Sequence, residues 1–593
     1  MKFNTRTRYS LIAFILLLSV QAAVGQKSDL DITYTVSLKD PATRQFHIMT
    51  DIRNIDQKQL DLALPTWTPG WYVVENYYKN VLRFKITDGN GKQLPFRMIK
   101  KQTWRVDTSQ IKQLRIEYDY AAHVLALNQA KIADDMAFFT GIQLFLEPVG
   151  HRETPSNVRF DIPAGWRLIS PLKETSDPMV FRAANYDTLV DAPAQMGKFD
   201  LTTFEVDSKP HHFVAYPAGA FNAEKTKAYT EMLSKVTLEH KEIFGDLPYE
   251  KFVYYYFFAP PESNASGALE HQNSFVHFAP AGERTTPQQL VTTGAHEFFH
   301  VWNVKRFRPA AMWPYDYSRE QETPLLWVSE GFTSYYASLI VYRAGLINEE
   351  QYLGRTAGAV TGVESNEARH YIAPANASVS TWVGYDSPVA FSISYYTAGQ
   401  NLAGLLDISI RNDSNGAKSL DDVMRELYNG FYKRGRGFTS EDLLAVINRV
   451  SGKNYSEFFR KFVYGTEIPD YDTIFGYAGL DVERTERKAP LFGFSIRNRD
   501  GGYLINSVEP NSSAAKAGLV RGDLIVQANG KPAQDADWGT FGGTTVKLRV
   551  TRGEEIRDVD MAVDFRNTTT FGLKPLPDAA AKQLRVREGW LSR

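Results

Sequence analysis

The run TTPQQLVTTGAHEFFHVWNVKRFRP, residues 285–309, decides how the rest of the chain is read. Thr286 followed by Pro287 is a helix start: a hydroxyl cap, then the one residue whose missing N–H costs nothing in the first turn. Pro309 bars continuation. Inside this predicted helix lies His296-Glu297-Phe298-Phe299-His300. Residues i and i+4 share a helix face, so both imidazoles reach one ion, and Glu297 stands beside them to take a proton from a metal-activated water.

Two imidazoles leave a metal short of a third protein ligand, with a further position kept for water. Two carboxylates compete for the role. Glu320 follows His300 with 19 residues between, the simpler spacing; Glu330 follows with 29. Glu320 sits in the polar stretch SREQET, where a carboxylate is solvated. Glu330 sits in WVSEGFTSYY, where an ionised side chain is costly unless it is paired or bound to a cation. Burial therefore favours His296, His300 and Glu330 as the metal set. The segment 323–345 reads as a helix capped by Thr323, with Pro324 first and Gly345 as its stop. Further helices are predicted to begin near Ser419 and Thr439. An oxyanion formed at the metal needs another donor, for which Tyr395 and Tyr396 are candidates; the plainer reading of the pair is aromatic core.

Outside this region the texture changes. From about residue 30 to 200, segments such as ITYTVSLKD and LRIEYDY alternate in polarity between Gly, Pro, Asn and Asp, predicting a β-sandwich-like domain. The aromatic PTWTPGWYVVENY near residues 65–77 reads as a packed turn. NAEKTKAYTEMLSKVTLEHKEIFG reads as helix and KFVYYYFFAP as a buried strand. With 593 residues the chain is long enough for about three to five domains. It carries 67 basic and 68 acidic side chains, a formal charge of −1, which gives no electrostatic reason to expect nucleic acid. With no cysteine, disulfides, thiolate ligands and a Cys nucleophile are excluded.

The first residues, MKFNTRTRYSLIAFILLLSVQAAVGQ, carry Lys2, Arg6 and Arg8 before an apolar run from Leu11 to Val20 and small residues at Ala23 and Gly25. This is a signal-peptide pattern, too short to span a bilayer comfortably, with cleavage expected after Gly25; the competing reading is an uncleaved anchor. The expected product is exported to a periplasm-like space or secreted, without a membrane span.

Gly267-Ala268-Leu269-Glu270-His271 lies between predicted strands. A carboxylate at the edge of a metal cleft can hold a substrate's free ammonium and so place the first peptide bond at the metal. His271 is either its supporting partner or a surface residue.

HEFFHVWNVKRFRP together with WVSEGFT resembles the M61 metallopeptidases, the glycyl aminopeptidase family. GALEH resembles that family's GGLEH, with Ala268 in place of the second glycine, and Tyr396-Thr-Ala-Gly resembles a Tyr-x-x-Gly motif of M1-like enzymes. The resemblance implies a multidomain α+β protein: an N-terminal β domain, a thermolysin-like, mainly helical gluzincin domain, and a C-terminal PDZ domain. It implies one zinc per chain on His296, His300 and Glu330, Glu297 as base, Glu270 with Gly267 and Ala268 at the substrate's N-terminus, Tyr396 at the oxyanion, and a preference for small N-terminal residues. From Leu491 onward, GLVRGD followed by an apolar strand and Asn529-Gly530 resembles a PDZ module, with Leu491, Phe492, Gly493 and Phe494 as its carboxylate loop. That loop would take a peptide C-terminus, or the module only packs against the catalytic domain. The boundaries so read are 1–25 signal peptide, 26–205 β domain, 206–485 catalytic domain, 486–575 PDZ domain and 576–593 tail. Two other functions fit less well: a zinc endopeptidase of the same fold, and a non-catalytic PDZ scaffold.

Overall fold

A computed structural model describes residues 30–260, 267–282, 285–384, 391–499 and 501–592. The signal-peptide expectation lies outside the described residues.

The N-terminal region is built on a seven-stranded sheet in which Asp31–Ser37 and Gln45–Arg53 lie at the centre. Asp31–Ser37 runs parallel to Ser156–Asp161 and antiparallel to Gln45–Arg53. Its alternate residues Ile32, Tyr34 and Val36 are buried, as period-two patterning requires. Two four-stranded sheets complete the β-rich layer; one contains Gln59–Ala63 and Thr103–Asp107, the other Met136–Thr140 and Pro193–Gly197.

A five-stranded sheet follows, in the order Asp200–Val206, Lys209–Tyr216, Phe252–Ala259, Ser274–Pro280, Gly267–His271. Phe252 to Phe258 are buried without alternation, because both faces of that central strand are covered. Gly267–His271 is an edge strand, antiparallel to Ser274–Pro280 and, among the described residues, paired on that side only.

Six helices matter for the site. They are α1 (Ala223–Phe244), α2 (Pro287–Phe299), α3 (Gly331–Arg343), α4 (Glu349–Glu364), α5 (Tyr395–Asp413) and α6 (Ala581–Leu591). The cap on α2 is a full capping box: the Thr286 hydroxyl takes the Gln289 N–H and the Gln289 side chain takes the Thr286 N–H. Ser419 and Thr439 also cap helices. The segment from Thr323 departs from expectation. Only Leu326–Ser329 is helical before the chain breaks at Glu330 and restarts as α3, and Thr323 does not cap it. One apolar core runs from the N-terminal sheet through these helices.

An antiparallel ribbon, Leu480–Leu491 against Asp564–Pro575, leads out to a separate sheet and back. That sheet has its own core, including Ile505, Leu519, Ile525, Val546 and Met561. Gly493 in the Leu491–Phe494 loop has φ +74°, and Trp538 packs edge-on against Phe492 and Phe494. The chain then returns as α6, which docks on α3 and α5. Among the described residues, no helix is long and apolar enough to cross a membrane.

Candidate metal and peptide site

His296 sits in the last turn of α2, and His300 just past its end, still in helical conformation. Their Nε2 atoms are 3.1 Å apart. Glu330 Oε2 lies 3.4 Å from Nε2 of His296 and 3.3 Å from that of His300. Bonds of about 2.0–2.1 Å at tetrahedral angles require ligand atoms about 3.3 Å apart, so this triangle fits zinc. Glu330 stands at the interruption between Leu326–Ser329 and α3, with its backbone still in the helical region.

One residue fixes both sides of the triangle. The backbone carbonyl of Asn303 accepts a hydrogen bond from His300 Nδ1 at 2.6 Å, which in the neutral imidazole leaves Nε2 available to a metal. The Asn303 side-chain amide donates to the carbonyls of Val328 and Ser329 and to Thr333 Oγ1, at 3.0–3.2 Å. It thereby pins the segment that carries Glu330. The ring of Tyr396 lies nearly parallel to the His296 imidazole, with centroids 6.1 Å apart. Glu320 is exposed in an open groove with Arg319, Gln321 and Glu322 and takes no part in the triangle of His296, His300 and Glu330.

Glu270, Glu297 and His300 form a second cluster, with ligand atoms all within 4.8 Å of one another. Burial raises the pKa of Glu297 well above the carboxylate range, and Glu270 and Glu330 add to it while His300 opposes. Burial also works against the charge on Glu330, but His300 and His296 outweigh it and hold it at about 2. Burial lowers His300; Glu330, Glu270 and Glu297 overcome that and push it up to about 10. The pocket's field calls for positive charge where the three ligand atoms meet.

Three groups that spacing and pattern do not reveal complete the pocket. Lys305 is buried between Asp191 Oδ1 at 3.0 Å and Glu270 Oε1 at 3.8 Å. Asp191 also holds His271, Nδ1 to Oδ1 at 3.2 Å, so His271 is a supporting partner and not a surface residue. The third is the turn at Gly70 in the aromatic segment, which packs directly on Glu270. A Cβ built on Gly70 (φ +93°) would stand 2.6 Å from Glu270 Oε1 and closer still to Oε2. Trp67 anchors the same segment by donating from Nε1 to the Asp316 carbonyl at 2.9 Å. Gly267 and Ala268 lie on the edge strand beside Glu270, Gly267 exposed and Ala268 half-buried.

Three family models match the chain: the peptidase M61 N-terminal domain over residues 33–198, the M61 glycyl aminopeptidase over 289–402, and a PDZ domain over 504–537. No curated protein matches it. Among solved structures, an aminopeptidase N family protein from Idiomarina loihiensis shares 24% identity, with 95% of this chain and 100% of that one covered and a TM-score of 0.83. An M1 zinc metallopeptidase from Deinococcus radiodurans is 15% identical over 75% of this chain and 96% of that one, with a TM-score of 0.47. Yeast LTA4 hydrolase is 14% identical over 76% and 72%, with a TM-score of 0.45. The first of these shares the fold. With a β-rich N-terminal domain, a helical catalytic domain and a C-terminal PDZ domain, each in the order that the family models give, the chain belongs to the M61 metallopeptidases.

Proposed function

We propose that the protein is an exported zinc aminopeptidase that removes small N-terminal residues, glycine and alanine, from peptides. The observation that carries this reading is Glu270: a carboxylate 3% exposed, beside the candidate metal ligands, whose Oε1 has no hydrogen-bond partner among the described residues. A buried carboxylate oxygen left so is a seat for a donor.

The chain's own groups divide the work. His296, His300 and Glu330 would hold the zinc, one per chain, which when bound supplies an acidified water and polarises the scissile carbonyl. Glu297 would take a proton from the attacking water and pass it to the leaving amine. Tyr396 donates to the oxyanion. The free edge of Gly267–His271, with Gly267 and Ala268, takes the substrate backbone as an added strand, and Glu270 stops it at its first residue. The enclosed seat under Gly70 favours small first residues. At the PDZ module, the Leu491–Phe494 loop is read as the seat of a peptide C-terminus, with Trp538 as an apolar wall. Export rests on the Lys2–Val20 pattern.

The test is a set of Gly-, Ala- and Leu-p-nitroanilides, free and N-acetylated, with metal analysis. Free Gly and Ala substrates are expected to be cleaved fastest, acetylated ones not at all, and a chelator to abolish activity that zinc restores. Internal cleavage of an N-acetylated peptide would establish the endopeptidase instead. Gly70→Ala is expected to raise KM for the free Ala substrate about tenfold with kcat nearly kept. The new methyl displaces Glu270 rather than the metal set, and the positive φ adds a cost of about 1–3 kcal/mol to folding. Steady-state kinetics and a thermal melt check both.

A further inference from the structure

We infer that Lys305, fixed by Asp191, is the positioning residue for Glu270: it holds that carboxylate in its seat by charge while leaving its hydrogen bonds to the substrate's ammonium. The inference rests on the aminopeptidase reading above.

A buried ammonium needs partners at contact distance. Lys305, 3% exposed, has one in Asp191, at 3.0 Å. Glu270 Oε1, at 3.8 Å, is beyond hydrogen-bond reach but well within Coulomb range. The asymmetry is enforced. Asp191 caps the short helix Tyr186–Val190 in the N-terminal region, and its other oxygen accepts the Gln272 N–H at 2.5 Å. His271, next to Glu270 in the edge strand, donates to the Oδ1 that holds Lys305. Asp191 is therefore immobile, and the lysine is tethered one step behind Glu270. On the opposite side the Gly70 backbone closes against the carboxylate. A lysine at contact distance would fill the place an ammonium needs. With no lysine at all, Glu270 would face Glu297 and the metal ligand Glu330 without the cation that does most to offset its burial.

The experiment compares two probes that present the same hydroxamate to the metal: alanine hydroxamate, and propionohydroxamate, which lacks the amine. Both are titrated calorimetrically into the zinc-loaded full chain. In the wild type the amine is expected to improve affinity about 10–100-fold, the range of a charge-assisted hydrogen bond. In Lys305→Met that ratio is expected to fall to about one, with propionohydroxamate binding within about twofold of wild type. Lys305→Arg should recover part of the ratio. The kinetic loss should fall on KM for free-amine substrates more than on kcat. Asp191→Asn, which keeps the lysine, frees it to close on Glu270, so it should lower the ratio too. It also carries the test if Lys305→Met fails to fold. A wild-type ratio retained in Lys305→Met, or in Asp191→Asn, overturns the inference alone. A wild-type ratio near one overturns the amine seat and this inference with it.

Discussion

Glu297→Gln is expected to lower kcat for Ala-p-nitroanilide about 10³-fold, with zinc content and melting temperature unchanged. The substitution keeps the shape and removes the base. General acid–base groups contribute about 10²–10⁴-fold, and here one carboxylate is asked to serve both proton transfers. The geometry leaves little choice of base. Glu297 is 6% exposed, stands next to His296 on α2, and shares a cluster with His300 and Glu270. Of these carboxylates, Glu330 is committed to the imidazoles and Glu270 lies against Lys305 and Gly70. Burial raises the pKa of Glu297, which makes it the stronger base and sets the sign of the pH dependence. The base must be ionised, so activity is lost as pH falls through its raised pKa. The acid limb of kcat/KM against pH should vanish in the variant's residual activity. A variant that kept more than about a tenth of the rate would take Glu297 out of the proton path.

The local half of this site is legible in the sequence, and the long-range half is not. The start of α2, the spacing of His296 and His300, and the preference for Glu330 over Glu320 all follow from caps, periodicity and the cost of a buried charge. The same cost argument, applied to VWNVKRF, would have marked Lys305 and Arg306 as buried cations in need of partners; both are 3% exposed. The helix before Glu330 starts later than the Thr323–Pro324 pattern predicts and is interrupted at Glu330, which no local pattern announces. The groups that define the Glu270 seat come from Gly70 and Asp191, far away in the chain. Neither leaves a trace in spacing, since a residue recruited across a domain boundary obeys no local period. The aromatic turn at 65–77 is packed, as its composition suggests, but what it packs on is Glu270.

Trp590→Ala is expected to cost about 3–5 kcal/mol, the range for emptying a fully buried aromatic site. The PDZ module is inserted between the catalytic body and that body's last helix, so α6, which reads in the sequence as a terminal helix or a loose tail, acts as a core element. Trp590 is fully buried, stacks edge-on against Tyr352 with centroids 5.4 Å apart, and donates from Nε1 to Tyr335 Oη at 2.8 Å. Tyr335, on α3, donates in turn to Asp407 on α5 at 2.7 Å. Arg411 bonds both that carboxylate and the Gly589 carbonyl, the latter at 2.7 Å. One helix thus clamps α3, which begins at the residue after Glu330, to α5, whose second residue is Tyr396. Trp590→Phe separates the terms: it keeps most of the packing and loses one hydrogen bond, worth about 1 kcal/mol. At about 2–4 °C per kcal/mol for a unit of this size, the catalytic transition should fall by roughly 6–20 °C in the alanine variant and a few degrees in the phenylalanine one. The PDZ transition, with its own core, should stay in place. Scanning calorimetry of the full chain reads both. An alanine variant melting within about 1 °C of wild type would show that the returning helix holds nothing together.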